Sequence, residues 1–289
     1  MALDGAVSRG SAVTVTTGDA YIPELWAPEL LKQRDKATVM VSHIMHVRPE
    51  GLKKGDTVNI PWLTNETALD KTAESAITFS SNTEGKVTLK IDKYKYVGKL
   101  IEDIVEVQSN YDLFTNYRDK IANALAQVVD TDVLALTMGV AQSAGTWAAG
   151  SISKNAILTG IRMLDAAEVP QEDRFLVVDA FGREDLFLID DFVRYDAGGV
   201  KPSAIKTGEI GEIYGLKVLF SNNLMQPTAT SAVGMIFHKD AFAIALQKDV
   251  SVKTEYSVDY IGMKMVGYNI YGVTIARTDH VALLRYTRS

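Results

Sequence analysis

The chain has 289 residues, of which 47% are hydrophobic and 23% charged, and its formal net charge is −6. This composition is typical of a soluble globular protein with a substantial core, and the acidic balance argues against a protein whose main task is to grip nucleic-acid phosphates. The absence of cysteine excludes disulfides, thiol nucleophiles and thiolate metal sites. Neither a secretion signal nor an uninterrupted apolar run of membrane-spanning length is recognisable, so an intracellular product is predicted.

The first 22 residues are mostly small or polar. This region is predicted either to remain a disordered tail or to become ordered on a neighbouring molecule. The following segment, IPELWAPELL, carries a short helical apolar stripe that includes Trp26 and is interrupted by Pro28. This segment is predicted to be an anchoring turn.

A long polar connection separates two strand-like runs. GDTVNIPWL, residues 55–63, alternates apolar and polar side chains and predicts a strand that ends near Trp62. About twenty mostly polar residues follow, with Leu69, Ile77 and Phe79 as their core-forming content, before the alternating run KVTLKIDKYKYV. A connection of this length indicates a functional arm or a disordered loop.

The strand that follows this connection, in KVTLKIDKYKYV, is predicted to have one face exposed to solvent. Val87 and Leu89 lie on one face of it, whereas Lys86 and Lys90 lie on the other. Lysines interleaved with two tyrosines make this region the nearest thing to a basic and aromatic patch in the chain, which is interpreted as an exposed sheet face or a charged subunit contact. The residues of this patch are Lys86, Lys90, Lys93, Tyr94, Lys95, Tyr96 and Lys99.

A long helix is predicted from Ser109 or Asn110, either of which is a good N-cap, to about Met138. Its predicted buried stripe repeats at spacings of three and four and consists of Leu113, Tyr117, Ile121, Leu125, Val128 and Val129. Asp130 and Asp132 come late in this helix, where the helix dipole disfavours acids, so a bend or an earlier end is also predicted.

The second half of the chain alternates helices and strands, which predicts an α/β domain. GTWAAG, residues 145–150, is the predicted domain boundary, and Ser153 is predicted to cap the next helix. The segments RFLVV, FGREDLFLI and GLKVLFS are predicted to be strand, helix and strand, and the chain from Gly234 onward is predicted to be mainly strands.

The sequence predicts no catalytic, cofactor-binding or metal-binding residue. His43 and His46 lack a carboxylate at ligand spacing, and His238 and His280 are interpreted as hydrogen-bonded structural histidines. The motifs of nucleotide-binding proteins and serine hydrolases are absent from the sequence. The glycines between residues 198 and 215 are interpreted as flexible turns.

In chain order these features resemble the tailed-phage major capsid proteins of the HK97 fold, an α+β class. The resemblance rests on the polar N-terminal region, the IPELW anchor, the long connection after GDTVNIPWL, the long helix, and the later segments GLKVLFSNNL and GMIFHKDAFAIALQ. It covers essentially the whole chain.

The resemblance implies a division of the chain. The N-terminal arm would be residues 1–30, the extended E-loop hairpin 48–97, and the spine helix 109–138. The peripheral domain would comprise 31–47, 98–148 and 245–268, and the α/β axial domain 149–244 and 269–289.

The resemblance also implies a structural protein without a cofactor or enzymatic activity. Its copies would form the pentamers and hexamers of an icosahedral head that encloses double-stranded DNA without sequence-specific binding and without a membrane. Scaffolding, portal and decoration proteins are further expected partners; because no long helical leader precedes the arm, scaffolding would come from a separate protein or be dispensable. The expected location is the virion, after assembly in the host cytoplasm, and a lysine–asparagine cross-link is not predicted.

In such shells the E-loop lies across the neighbouring subunit. The residues predicted to make contacts between subunits are Trp26, Trp62, Leu69, Ile77, Phe79, Lys86 and Lys90. Two alternatives remain at this point. One is a subunit of an encapsulin-like compartment that encloses enzymes, and the other is a small-molecule α/β enzyme with its site near the glycines of 198–215.

Overall fold

The computed structural model describes residues 38–47, 55–63, 68–77, 79, 85–109, 112–145, 150–189, 211–224, 226–228 and 231–287. The helices in these residues are α1 Asp103–Gln108, α2 Leu113–Ala135, α3 Lys154–Ala166 and α4 Ala180–Leu188. The strands are β1 Met45–His46, β2 Thr57–Trp62, β3 Gly85–Lys90, β4 Lys93–Glu102, β5 Arg174–Val178, β6 Glu212–Ile213, β7 Leu216–Phe220, β8 Ser231–His238, β9 Phe242–Ser257, β10 Gly262–Ile275 and β11 Val281–Thr287.

The strands form two mixed sheets and one separate hairpin. The first sheet has the order β1-β9-β10-β4, in which β1 is parallel to β9 and the other pairs are antiparallel. The second sheet has the order β11-β8-β5-β7-β6, in which only β5 and β7 are parallel. The hairpin consists of β2 and β3. Helices packed against mixed sheets agree with the predicted α+β class.

The long helix begins later than predicted. Asp112 caps α2, since its carboxylate accepts a hydrogen bond from the Thr115 amide at 3.0 Å. Ser109 instead ends the short helix α1. The predicted stripe is correct for Ile121, Leu125 and Val129 and wrong for Tyr117, which is 39% exposed.

Helix α2 continues past Asp130 and Asp132 and ends earlier than the predicted limit near Met138. It ends at Ala135 and is followed by a 3-10 turn, Leu136–Gly139. By length and hydropathy alone, this combined stretch would reach across a bilayer. Its apolar side chains pack against the sheets, however, and this packing explains why the helix is apolar.

The elements of the second half agree closely with the prediction. Ser153 caps α3 by accepting a hydrogen bond from the Ala156 amide at 3.2 Å. RFLVV forms β5, and FGREDLFLI corresponds to α4 with Asp179 as its cap. Every residue of β5 is buried, because each of its faces is covered by a separate core.

Two large cores lie on opposite faces of the five-stranded sheet. The main core lies towards α2 and the four-stranded sheet, and includes Met40, Val133, Phe175, Phe237, Phe242 and Tyr271. The second core lies towards α3 and α4, and includes Ile157, Leu164, Leu176, Leu186, Ile236 and Tyr286. The predicted N-terminal arm, Trp26 and the glycines of 198–210 lie outside the described residues.

Candidate assembly surfaces

The hairpin of β2 and β3 is mounted on the body by its apolar face. Val58 pairs with Leu89 across the hairpin, and both are buried against Ala243 and Ala245 of β9. The side-chain amide of Gln247 donates a hydrogen bond of 2.9 Å to the backbone carbonyl oxygen of Gly55. The predicted alternation of the returning strand is thus confirmed, since Val87 and Leu89 face the body whereas Lys86 and Lys90 are exposed.

Gly272 allows the base of the hairpin, where β3 ends at Lys90, to approach the sheet closely. A Cβ at Gly272 of β10 would collide with the backbone carbonyl of Lys90 and with the side chain of Leu89. The missing side chain at Gly272 therefore sets how closely β3 lies over β10.

The loop between β2 and β3, residues 63–84, exposes its apolar side chains; we refer to it as the arm loop. In the described part of this loop the exposed fractions are 68% for Leu69, 63% for Ile77 and 90% for Phe79. No helix or strand is present in the described residues 68–77. Trp62, at the hairpin end, is 44% exposed, and its ring lies over Gly85. These side chains are free to contact another molecule, and whether they do so stays a prediction.

The outer face of the four-stranded sheet is basic and aromatic. It lies opposite α2, because α2 packs against the alternate residues of the same strands. We call it the lysine-tyrosine face; its lysines and tyrosines are Tyr94, Tyr96, Tyr268, Lys248, Lys253 and Lys264, and the register also places Glu255 on it, opposite Lys264. Tyr94 and Tyr96 are 66% and 74% exposed.

Contacts within the lysine-tyrosine face hold its charges over aromatic rings. The Lys248 ammonium lies 4.4 Å from the centroid of the Tyr268 ring and donates a hydrogen bond to its hydroxyl. This hydrogen bond lowers the pKa of Tyr268. Lys264 lies 4.7 Å from the ring centroid of Tyr260. These cation-π contacts orient the ammonium groups on an otherwise open surface.

The predicted lysine and tyrosine patch is divided between two faces of β4. Lys93 and Lys95 point to the opposite side from the tyrosines, where their ammonium groups lie 3.8 Å and 3.5 Å from a carboxylate oxygen of Asp132 in α2. The Tyr271 hydroxyl donates to the same carboxylate at 2.8 Å. Interpreting these residues as one patch was wrong, because successive side chains of a strand face opposite sides.

Asp130 joins three segments of the chain, a role that no local pattern in the sequence predicts. Its carboxylate, fully buried, accepts hydrogen bonds from the amides of Val39 at 3.1 Å and Met40 at 2.7 Å. It also accepts one from the Asn223 side chain at 3.2 Å. Burial raises the pKa of Asp130, and these hydrogen bonds oppose that rise.

An open groove of about 560 Å³ separates the hairpin end from the body. The hairpin lines it with Ile60, Trp62 and Val87, and the body lines it with Asp240 and Asp279, among other residues. A further apolar patch lies at the far end of the four-stranded sheet, where Val107, Val258 and Ile261 are 84%, 79% and 65% exposed.

Within the described residues, no group of three or more histidine, aspartate or glutamate side chains is placed to hold a metal ion. His43 Nδ1 donates a hydrogen bond to the backbone carbonyl of Val39, and His46 Nε2 donates one to that of Val41, both at 2.7 Å. Their surroundings are those of structural histidines.

The comparisons that gave matches point to phage capsid proteins. A family model described as phage capsid protein matches residues 85–286. A search of curated protein sequences gave no significant match. Among solved structures, one from Mycobacterium phage Che8 shares 25% identity and a TM-score of 0.76, with 91% of this chain and 97% of the other covered.

Two further structures are similar in fold. The capsid structure of the cyanophage P-SCSP1u has a TM-score of 0.77 at 19% identity, with 94% of this chain and 95% of the other covered. The mature capsid of bacteriophage PhiM1 has a TM-score of 0.71 at 12% identity, with 92% of each chain covered. The fold is HK97-like, as the sequence predicted.

Proposed function

Because this chain belongs to the phage capsid protein family, as the match over residues 85–286 establishes, we propose that its copies form the pentamers and hexamers of an icosahedral head around double-stranded DNA. The protein is a major capsid protein, and its role is structural. On this proposal its regions carry the predicted roles of N-terminal arm, E-loop, peripheral domain with spine helix, and axial domain.

One observation supports an arm that acts on a neighbour: the arm loop exposes large apolar side chains in the isolated subunit. Phe79 is 90% exposed and Leu69 is 68% exposed. Exposed apolar groups on an extended segment favour association. Rotational symmetry within a pentamer or hexamer lets each subunit both give an arm and receive one.

Charge complementarity favours the lysine-tyrosine face as the receiving surface for this arm. Residues 64–84 contain four carboxylates and one lysine, so the arm loop has a net charge of −3. The receiving face presents Lys248, Lys253 and Lys264 beside exposed tyrosine rings. Complementary charge sets the orientation of a contact, and burial of apolar side chains such as Phe79 against the rings supplies affinity.

The overall charge of −6 is suited to a container whose contents must leave it. Contacts with the packaged DNA are therefore proposed to be few and independent of sequence. Assembly takes place in the host cytoplasm on this proposal, with scaffolding, portal and decoration proteins as partners that act on the shell.

Electron microscopy of the purified full-length protein tests the assembly state. We expect closed shells tens of nanometres across, alone or on coexpression with a scaffolding protein. Shells from a phage infection that contain double-stranded DNA support the phage head. Shells that enclose copurifying enzymes instead support the encapsulin-like alternative, and a small oligomer that never closes contradicts both.

A charge reversal tests the contact between the arm loop and the lysine-tyrosine face. Lys253→Glu with Lys264→Glu is expected to reduce the yield of shells several-fold, because it sets like charges against the arm. Adding Asp70→Lys and Glu74→Lys is expected to restore part of that yield. If the second pair of changes lowers the yield further, the two surfaces do not meet, although shell formation by the native chain would still stand.

A further inference from the structure

A row of three basic side chains crosses one end of the five-stranded sheet. The register pairs Arg174 of β5 with His238 of β8, and the pairing of Val281 with Phe237 places His280 opposite His238. The two imidazole rings lie 5.6 Å apart between centroids. Residues paired directly across antiparallel strands share a face, so the three side chains form a continuous row.

We propose that this row is an acid-sensitive site: a proton bound at His238 places a positive charge between Arg174 and His280 and loosens the adjoining ends of β8 and β11. The row would make the attachment of the hairpin depend on pH. This property belongs to the folded subunit and lies beyond its role as a shell component.

Burial is what makes the row sensitive. The side chains of His238 and His280 are only 8% and 7% exposed, and Arg174 is equally enclosed with its guanidinium 2.7 Å from Asp165 of α3. A charge buried in this way is poorly screened by solvent. Like charges directly opposite one another destabilise a sheet.

The groups around the histidines only partly compensate a positive charge. Asp240 lies 3.8 Å from His238, and its backbone amide donates to His238 Nδ1 at 3.2 Å. Asp279 lies 3.1 Å from Nδ1 of His280, which is buried and makes no hydrogen bond. Asp173, in the turn before β5, forms ion pairs with Lys217 and Lys239.

The direction of the pH effect follows from His238. Burial lowers its pKa below the ordinary 6.5; Asp240 opposes this, His280 lowers the pKa further, and Asp173 and Arg174 act in opposite directions. The unfolded chain therefore binds a proton at this histidine more tightly than the folded chain. Stability is complete above the ordinary pKa and is lost as the pH falls through the lower one.

The effect reaches the hairpin through the groove. Asp240 and Asp279, the acidic neighbours of the two histidines, also line the groove beneath the hairpin together with Ile60 and Trp62. A protonated histidine draws its carboxylate neighbour towards it. Such a movement changes the wall of the groove that faces the hairpin end.

The test compares full-length variants between about pH 7.5 and about pH 5, the range in which histidine changes its charge. His238→Gln with His280→Gln removes the charge change from the row, and His43→Gln with His46→Gln is the matched control. We expect the native chain and the control to lose at least about 3 °C more in melting temperature on acidification than the row variant. An equal loss in all three proteins overturns the proposal.

Hydrogen exchange locates the effect and also serves if the row variant does not fold. On acidification, and after correction for the intrinsic pH dependence of exchange, the amides of Ser231–His238 and Val281–Thr287 in the native chain are expected to lose protection several-fold relative to those of α3. An unchanged ratio between these strands and α3 overturns the proposal.

Discussion

At the scale of the single residue, Asp130 shows how a side chain can hold distant segments together. It belongs to α2, yet its carboxylate binds the backbone of Val39 and Met40 and the side chain of Asn223. A buried carboxylate is tolerated only when hydrogen bonds compensate its lost hydration. The position of Val39 and Met40 against the helix thus depends on one side chain.

Replacing Asp130 by alanine removes the acceptor from the buried Met40 amide, the partly buried Val39 amide and the buried Asn223 side chain. We expect Asp130→Ala to lower the free energy of unfolding by about 3 kcal/mol. Urea denaturation of the unassembled subunit measures this change. Asp119→Ala on the exposed side of the same helix is the control, with an expected change within about 0.5 kcal/mol. Similar values for both variants would show that the hydrogen bonds of Asp130 contribute little.

The sequence could not have revealed Asp130, and the reason is physical. An acid late in a helix is unfavourable in isolation because of the helix dipole, and this rule led to the prediction of a bend or an earlier end. The hydrogen-bond partners that make this carboxylate favourable are about ninety residues away in the chain. The sequence around Asp130 therefore contains no sign of them. By contrast, Ser153 was predictable because a cap acts on its own helix.

At the scale of the element, the strands were predictable where one face is exposed to solvent and the other is buried. The alternation at Lys86 to Lys90 is reproduced in the hairpin. The start of α2 was not predictable in the same way, because Ser109, a predicted N-cap of the long helix, instead follows the last residue of the short helix α1. Both Ser109 and Asp112 suit a helix terminus by residue type, and only tertiary packing chooses between them.

The position of the hairpin over β10 provides a test at this scale. Gly272→Ala places a methyl group against the backbone carbonyl of Lys90, which cannot turn aside as a side chain can. We expect a loss of about 2 kcal/mol in the free energy of unfolding and increased hydrogen exchange in β2 and β3. Gly98→Ala in β4 is the control, because its nearest contacts would be 3.9 Å away. If both variants behave alike, the hairpin does not depend on this close approach.

At the scale of the whole molecule, the resemblance predicted the family and the HK97-like fold correctly, whereas the composition predicted only a globular chain. Order along the chain carried this information: a polar connection between two strands, a long helix, and then an α/β portion. The contacts between subunits stay a prediction. The sequence shows that the arm loop is polar with a few large apolar side chains, but not what they touch.

Trp62 distinguishes assembly from folding. It is half-exposed in the isolated subunit and lines the groove at the hairpin end. We expect Trp62→Ala to reduce shell yield several-fold while lowering the melting temperature of disassembled subunits by less than about 3 °C. Trp62→Phe, which keeps an aromatic ring, should retain most of the yield. Comparable losses in both measurements would place Trp62 in the subunit's own core.

The length of β9 has a mechanical consequence. This strand runs without interruption from the main core at Phe242 to the far end of the sheet at Ser257, a distance of roughly 50 Å. It pairs with β10 for nearly all of that length, and the register shifts only around Ile270. The pair therefore resists stretching along its length, because covalent backbone would carry the tension, whereas bending and twisting would be concentrated at the irregular register.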